Sequence, residues 1–177
     1  MNNYRAEIDG LRGIAVLSVV LYHSEIILNG KNLFTGGFLG VDIFFVISGF
    51  LITRILLFEN NKNGFFSFKN FYERRIRRLL PALIFVIIFS TILAYLILLP
   101  SQFLFFIKSA ISSIFFFSNF FFHYAGESYG QSILTEIPLL HTWSLSIEEQ
   151  FYLIYPIFLF IIFKYFKKNI NLFLLII

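Results

Sequence analysis

The stretch LLPALIFVIIFSTILAYLILL, Leu79–Leu99, carries no charged side chain. A bilayer core is about 30 Å thick and takes about 20 apolar helical residues to cross, so this run predicts a membrane span. The segment in front of it, residues 60–78, holds Lys62, Lys69, Arg74, Arg75, Arg77 and Arg78. Basic residues in short connections mark the cytoplasmic side, which points this span outward.

The rest of the chain agrees with a membrane protein. Its 177 residues are 58% hydrophobic and 14% charged, where water-soluble domains run nearer half and a quarter. The excess is gathered in long blocks, and mean hydropathy is +0.81. That pattern excludes a soluble core protein, a disordered tail and a nucleic-acid module. Cysteine is absent, so a disulfide framework, a thiolate metal site and an acyl-cysteine nucleophile are all removed. No metal and no bound cofactor are expected.

Four further blocks lie on either side of the first. Leu11–Leu28 is broken by Arg12, His23, Ser24 and Glu25, and shows no small-residue cleavage site of a signal peptide. Phe38–Phe58 contains Asp42 and Arg54. Phe103–Phe122 holds Lys108 and the polar run Ser109, Ser112 and Ser113, and Ile147–Phe163 opens on Glu148, Glu149 and Gln150. A last stub, Ile170–Ile177, is too short to span, so residues 1–177 read as one incomplete membrane domain. With Arg5 and Arg12 inside, the N-terminus is expected in the cytoplasm and the protein in the cytoplasmic (inner) membrane.

Parity then decides the fourth block. Lys164, Lys167 and Lys168 belong inside, which holds only if Phe103–Phe122 does not cross. Lys108 near a helix centre would also cost roughly 2.5–3.5 kcal/mol. The expectation is an all-α polytopic transmembrane bundle: four full spans, one re-entrant or interfacial outer helix, and a partial last span. Six ordinary spans with a broken charge rule is the alternative.

Several ionisable groups sit where lipid would disfavour them. Arg12 and His23 are eleven residues apart, which on a helix returns to within about 20° of one face over a rise of about 16 Å. Such groups in a span usually face a bundle interior or wet cavity; the plain reading is a snorkelling Arg and an interfacial His. Asp42 follows Gly36, Gly37 and Gly40, glycines that permit close helix approach, and needs a partner that Arg12 or His23 would supply. Arg74, Arg77 and Arg78 share a helix face, and guanidinium groups bind phosphate in forked geometry, although topology and lipid head groups also account for them. Glu148 and Tyr152 share a face at i, i+4, with Glu149 pointing elsewhere.

Four stretches in order resemble the membrane acyltransferase family 3, the O-acetylase type. They are Tyr4–Gly13 with the gap from Arg12 to His23, Gly40–Phe50, Phe71–Arg78, and His141–Tyr152. The resemblance implies about ten spans in the whole protein, an acyl donor that is usually acetyl-CoA on the cytoplasmic side, and a sugar hydroxyl of a cell-surface or exported glycan as acceptor. It implies that Arg12 and His23 are an essential pair, that Arg74, Arg75, Arg77 and Arg78 belong to an arginine motif that binds the donor, and that Glu148 is the acid of a tryptophan motif.

The residues support a mechanism of that kind. The arginines would hold coenzyme A phosphates, with Arg12 continuing the positive path. His23, if partly shielded so that burial favours the neutral imidazole, would take the proton of the attacking hydroxyl. Glu148 or Asp42 would orient the imidazole. An acyl-enzyme remains open beside direct transfer. Two other classes compete: a transporter-like protein, which predicts broken helices and an internal repeat that are not seen in the sequence, and a non-catalytic remnant.

Overall fold

The computed structural model describes residues 5–28, 31–64, 67–129 and 138–165. The expected stub at Ile170–Ile177 and the residues Lys167, Lys168 and Glu136 lie outside these. Among the described residues there are six helices: α1 (Ala6–His23), α2 (Leu39–Asn63), α3 (Phe68–Ile97), α4 (Pro100–Ile114), α5 (Ser118–Tyr129) and α6 (Thr142–Tyr165). A two-residue antiparallel ladder, β1 (Ile27–Leu28) with β2 (Lys31–Asn32), is the one other regular feature described. The protein is an all-α membrane protein.

Three helices, α2, α3 and α6, are long and apolar enough to cross a membrane, where the sequence predicts four full spans. The difference lies in α1. It starts at Ala6, taking in Glu7, Asp9 and Arg12, and stops at His23. Ser24 caps it, Glu25 turns to a left-handed φ of 49°, and Ile27 enters the ladder. The apolar residues after His23 therefore add nothing to the helix, while the charges before Leu11 do.

The fourth block also resolves into something other than a single rod. It is split at Phe115–Phe117 into α4 and α5. At 1.5 Å per residue these are about 22 Å and about 18 Å long, too short to cross. Phe105 and Phe121 have ring centroids 5.2 Å apart; a continuous helix would separate them by about 24 Å. The chain doubles back, as a non-crossing reading requires.

The chain divides into two compact units, Met1–Phe66 and Ser67–Ile177. In the first, α1 packs on α2 through glycine. A Cβ on Gly40 would collide with the Ala15 carbonyl oxygen and lie 2.9 Å from Val19 Cγ2; one on Gly37 would collide with the Ser18 carbonyl and lie 2.7 Å from Tyr22 Cβ. Gly36 has open space around it. Small residues drive such packing because lipid gives helices no hydrophobic reason to associate. Gly64, at φ 76°, ends α2 and donates to the Asn60 carbonyl.

In the second unit the core joins Leu83, Ile87 and Ala94 of α3 to Phe106 and Ala110 of α4, Phe122 of α5, and Leu139. A buried seam of hydroxyls ties α4 and α5 to α6. Ser113 and Thr142 are 2.8 Å apart, Thr142 is 3.0 Å from Ser118, and Ser118 and Ser146 are 2.7 Å apart. The Gln150 amide donates to the Phe116 carbonyl at 2.7 Å and to Asn119 at 3.0 Å. Outside this core the surface is apolar: Tyr95, Leu96 and Ile97 are each more than 70% exposed, as a lipid-facing helix requires.

Two substitutions separate these packing devices. Gly40→Val is expected to destabilise the first unit by about 1–3 kcal/mol through overpacking, and Gly36→Ala to leave it unchanged, in thermal unfolding in detergent. Ser118→Ala and Ser146→Ala should each cost about 1–2 kcal/mol, and the double variant less than their sum, because they share one hydrogen bond.

Candidate functional site

The second unit brings opposite charges together at one place. α3 begins at Ser67, whose hydroxyl accepts from the Asn70 amide, and its early turns carry the arginine run. Arg75 is turned toward α6. Its Nε lies 2.9 Å and 3.1 Å from the two carboxylate oxygens of Glu149, and its Nη2 lies 2.7 Å from Oε1. The Tyr152 ring centroid is 3.1 Å from the Arg75 guanidinium carbon. Tyr152 donates its hydroxyl to Glu148, whose Oε1 is 3.8 Å from Arg75 Nη2. The Arg75 side chain is 26% exposed, and those of Glu148 and Glu149 11% each.

This is a bidentate, charge-assisted pair, the strong form of the interaction. Glu149 is a correction to the sequence reading: it faces the same guanidinium as Glu148, not elsewhere. Arg75 lies between the two directions that consecutive helical residues take. A signal existed. Arg75 is the arginine of its run that lies off the Arg74, Arg77 and Arg78 face, and a carboxylate entering an apolar span needs a cation.

The other arginines behave differently. Arg74, Arg77 and Arg78 are exposed. Arg77 donates to Glu73 one turn back at 2.6 Å, and Asn70, Glu73, Arg74 and Arg77 line a shallow polar pocket. Arg75 thus pairs across to α6 and Arg77 within α3, and the three on the shared face are exposed.

Arg75, Glu149 and Tyr152 also line a cavity of about 250 Å³ between α3, the α4–α5 break and α6. Tyr72 closes one edge by donating its hydroxyl to the Leu153 carbonyl at 3.0 Å.

In the first unit, Arg12 and His23 lie on one helix, as expected. Arg12 is half-buried, with its guanidinium carbon 5.0 Å from the centroid of the Phe44 ring on α2. That cation–π contact covers the charge. His23 is the last residue of α1 and is exposed, not partly shielded as the base reading asked, with its ring edge-on to Tyr22 at 5.1 Å. Asp42 is exposed in the first turn of α2, where a carboxylate suits the helix dipole. Among the described residues no ion pair joins Asp42 to Arg12 or His23.

A family model described as an acyltransferase domain, Acyl_transf_3, matches residues 5–177. The chain is 47% identical over 159 residues to "Putative peptidoglycan O-acetyltransferase YrhL" of Bacillus subtilis (strain 168), covering 89% of this chain and 24% of that protein. It is 43% identical over 166 residues to "Peptidoglycan O-acetyltransferase OatA" of Listeria monocytogenes, covering 93% of this chain and 26% of that protein. The chain spans about a quarter of the length of these curated relatives. No solved structure matches it.

The ion pair makes a clear demand on mutants. Arg75→Met or Glu149→Met alone leaves an uncompensated charge and should cost about 2–4 kcal/mol, given the partial exposure. The double variant should recover most of that loss. A double-mutant cycle by thermal unfolding in nanodiscs measures both.

Proposed function

This chain belongs to the Acyl_transf_3 acyltransferase family, and from that premise we propose that it is part of a membrane O-acyltransferase that moves an acetyl group from acetyl-CoA to a glycan hydroxyl. The family match over residues 5–177 carries this reading, since it takes in α1, the arginine run and the start of α6 together. The names of the two relatives both contain "peptidoglycan O-acetyltransferase", which makes a cell-wall glycan the favoured acceptor.

The residues divide the work as follows. Arg74, Arg77 and Arg78 present guanidinium groups on one exposed face, suited to the phosphates of coenzyme A. Arg75 supports that face from behind through Glu149. Arg12 is a further cation for the donor, within the first unit. His23 is the general base: its imidazole nitrogen takes the proton of the sugar hydroxyl as the new C–O bond forms and the thioester C–S bond breaks. That proton then passes to the departing thiolate. Asp42, in the same unit as His23, is the carboxylate that would stabilise an imidazolium, and Glu148, which accepts from the Tyr152 hydroxyl, is a further catalytic carboxylate. The N-terminus is cytoplasmic in the cytoplasmic membrane, and residues 1–177 form one part of the acyltransferase domain.

The test uses the whole protein. His23→Ala should lower transfer by about 10²–10⁴-fold with membrane insertion retained. Neutralising Arg74, Arg77 and Arg78 to Gln should raise KM for acetyl-CoA more than it lowers kcat, as read from initial rates of acetyl transfer. Full activity in His23→Ala overturns the base assignment. Labelled acetyl-CoA supplied without acceptor separates direct transfer, which leaves no protein adduct, from an acyl-enzyme, which leaves one.

A further inference from the structure

We propose that the cavity beside Arg75 seats a segment of one acyl chain of a bilayer phospholipid, held as a wedge against the α4–α5 break. The inference stands apart from acyl transfer and survives or fails without it. At about 250 Å³ the space falls short of the roughly 300–1,000 Å³ that holds a drug-sized ligand. It admits a chain segment and excludes a nucleotide or an oligosaccharide.

The chemistry of the walls agrees. Ile76, Leu79 and Leu80 of α3, Phe116 and Phe117 of the break, and Leu153 of α6 give it apolar sides. Its polar rim already has partners. The Arg75 guanidinium is on Glu149, the Gln150 amide on Phe116 and Asn119, and the Tyr72 hydroxyl on Leu153. A charged or strongly hydrogen-bonding ligand would have to break these contacts, whereas a methylene chain disturbs none of them. The chain's source is also at hand, because α3 and α6, which supply two of the walls, are long and apolar enough to cross a membrane.

The third wall explains why a chain would matter. Phe116 is held at φ 56°, the left-handed region, at a cost of order 1–3 kcal/mol for a residue other than glycine. Gln150 pins its carbonyl from one side. An acyl chain on the cavity side supplies the packing atoms that an empty space of this size withholds.

The experiment reconstitutes the full chain in vesicles of phosphatidylethanolamine and phosphatidylglycerol containing a phosphatidylcholine with a diazirine in one chain. After photolysis, adducts are mapped by mass spectrometry. Labelling at Leu79, Leu80 and Phe116 should saturate with probe fraction, while labelling of the exposed stretch Tyr95–Ile97 rises in proportion to it. Leu79→Trp, which fills the cavity from α3, should reduce cavity labelling about tenfold, the effect of about 1.4 kcal/mol, and leave Tyr95–Ile97 unchanged. Leu153→Phe fills it from α6 and serves where the first variant does not insert. Cavity labelling that merely tracks Tyr95–Ile97, or that either filling variant leaves intact, overturns the proposal. Displacement of the probe by S-acetylpantetheine overturns it too, and assigns the space to the arm of the acyl donor.

Discussion

A charge carried into an apolar slab has to meet its opposite within a few ångströms, and the second unit is arranged around that requirement. Arg75 answers Glu149 through three short contacts and covers the Tyr152 ring. Without that guanidinium, the two adjacent carboxylates at the start of α6 would repel each other in a medium that solvates neither. With it, α6 can begin its apolar run directly after Gln150. The register of α3 against α6 follows from the same pair, since a bidentate fork admits little sliding or rotation.

Around that pair, polar contacts do the joining that hydrophobic burial does in water. The hydroxyls of Ser113, Thr142, Ser118 and Ser146 form a continuous buried seam, and Gln150 extends it to the backbone of the break. Each hydroxyl is small enough to let the helices approach. In the first unit, glycine serves the same end with no hydrogen bond at all, by letting Gly37 and Gly40 rest on the carbonyls of α1. The two units thus use the two known ways of packing helices in lipid, small residues and interhelical hydrogen bonds.

Much of this was legible in the residues, and the limits have physical causes. Hydropathy found Leu79–Leu99, yet α3 begins at Phe68, because the arginine-bearing turns are helical without being apolar. The glycines before Asp42 announced a close approach, which Gly37 and Gly40 make and Gly36 does not. The Glu148–Tyr152 contact followed from i, i+4 spacing. The partner of Glu149 was signalled only by Arg75 standing off the face of its run, since the two are 74 residues apart in sequence. Charge parity argued that Phe103–Phe122 does not cross, but no local signal marked Phe115–Phe117 as the break. That run of phenylalanines has neither Gly nor Pro; the turn is fixed by Gln150 and Ser146 from a distant helix. Asp42 was expected to require Arg12 or His23 and is instead exposed at a helix start.

The length of α3 has a consequence for where these groups sit. Thirty residues of helix extend about 45 Å, while the hydrocarbon layer takes up about 30 Å. Upright, the helix would overhang the oily layer by some three turns, and its basic end is the part that overhangs. That would set Arg74, Arg75, Arg77 and Arg78 together at the edge of the layer, the Arg75–Glu149 fork among them. A thicker bilayer, or a steeper lean of the helix, would draw the fork deeper and tighten its grip as the local dielectric falls. Membrane thickness thereby becomes a dial on the strength of a salt bridge.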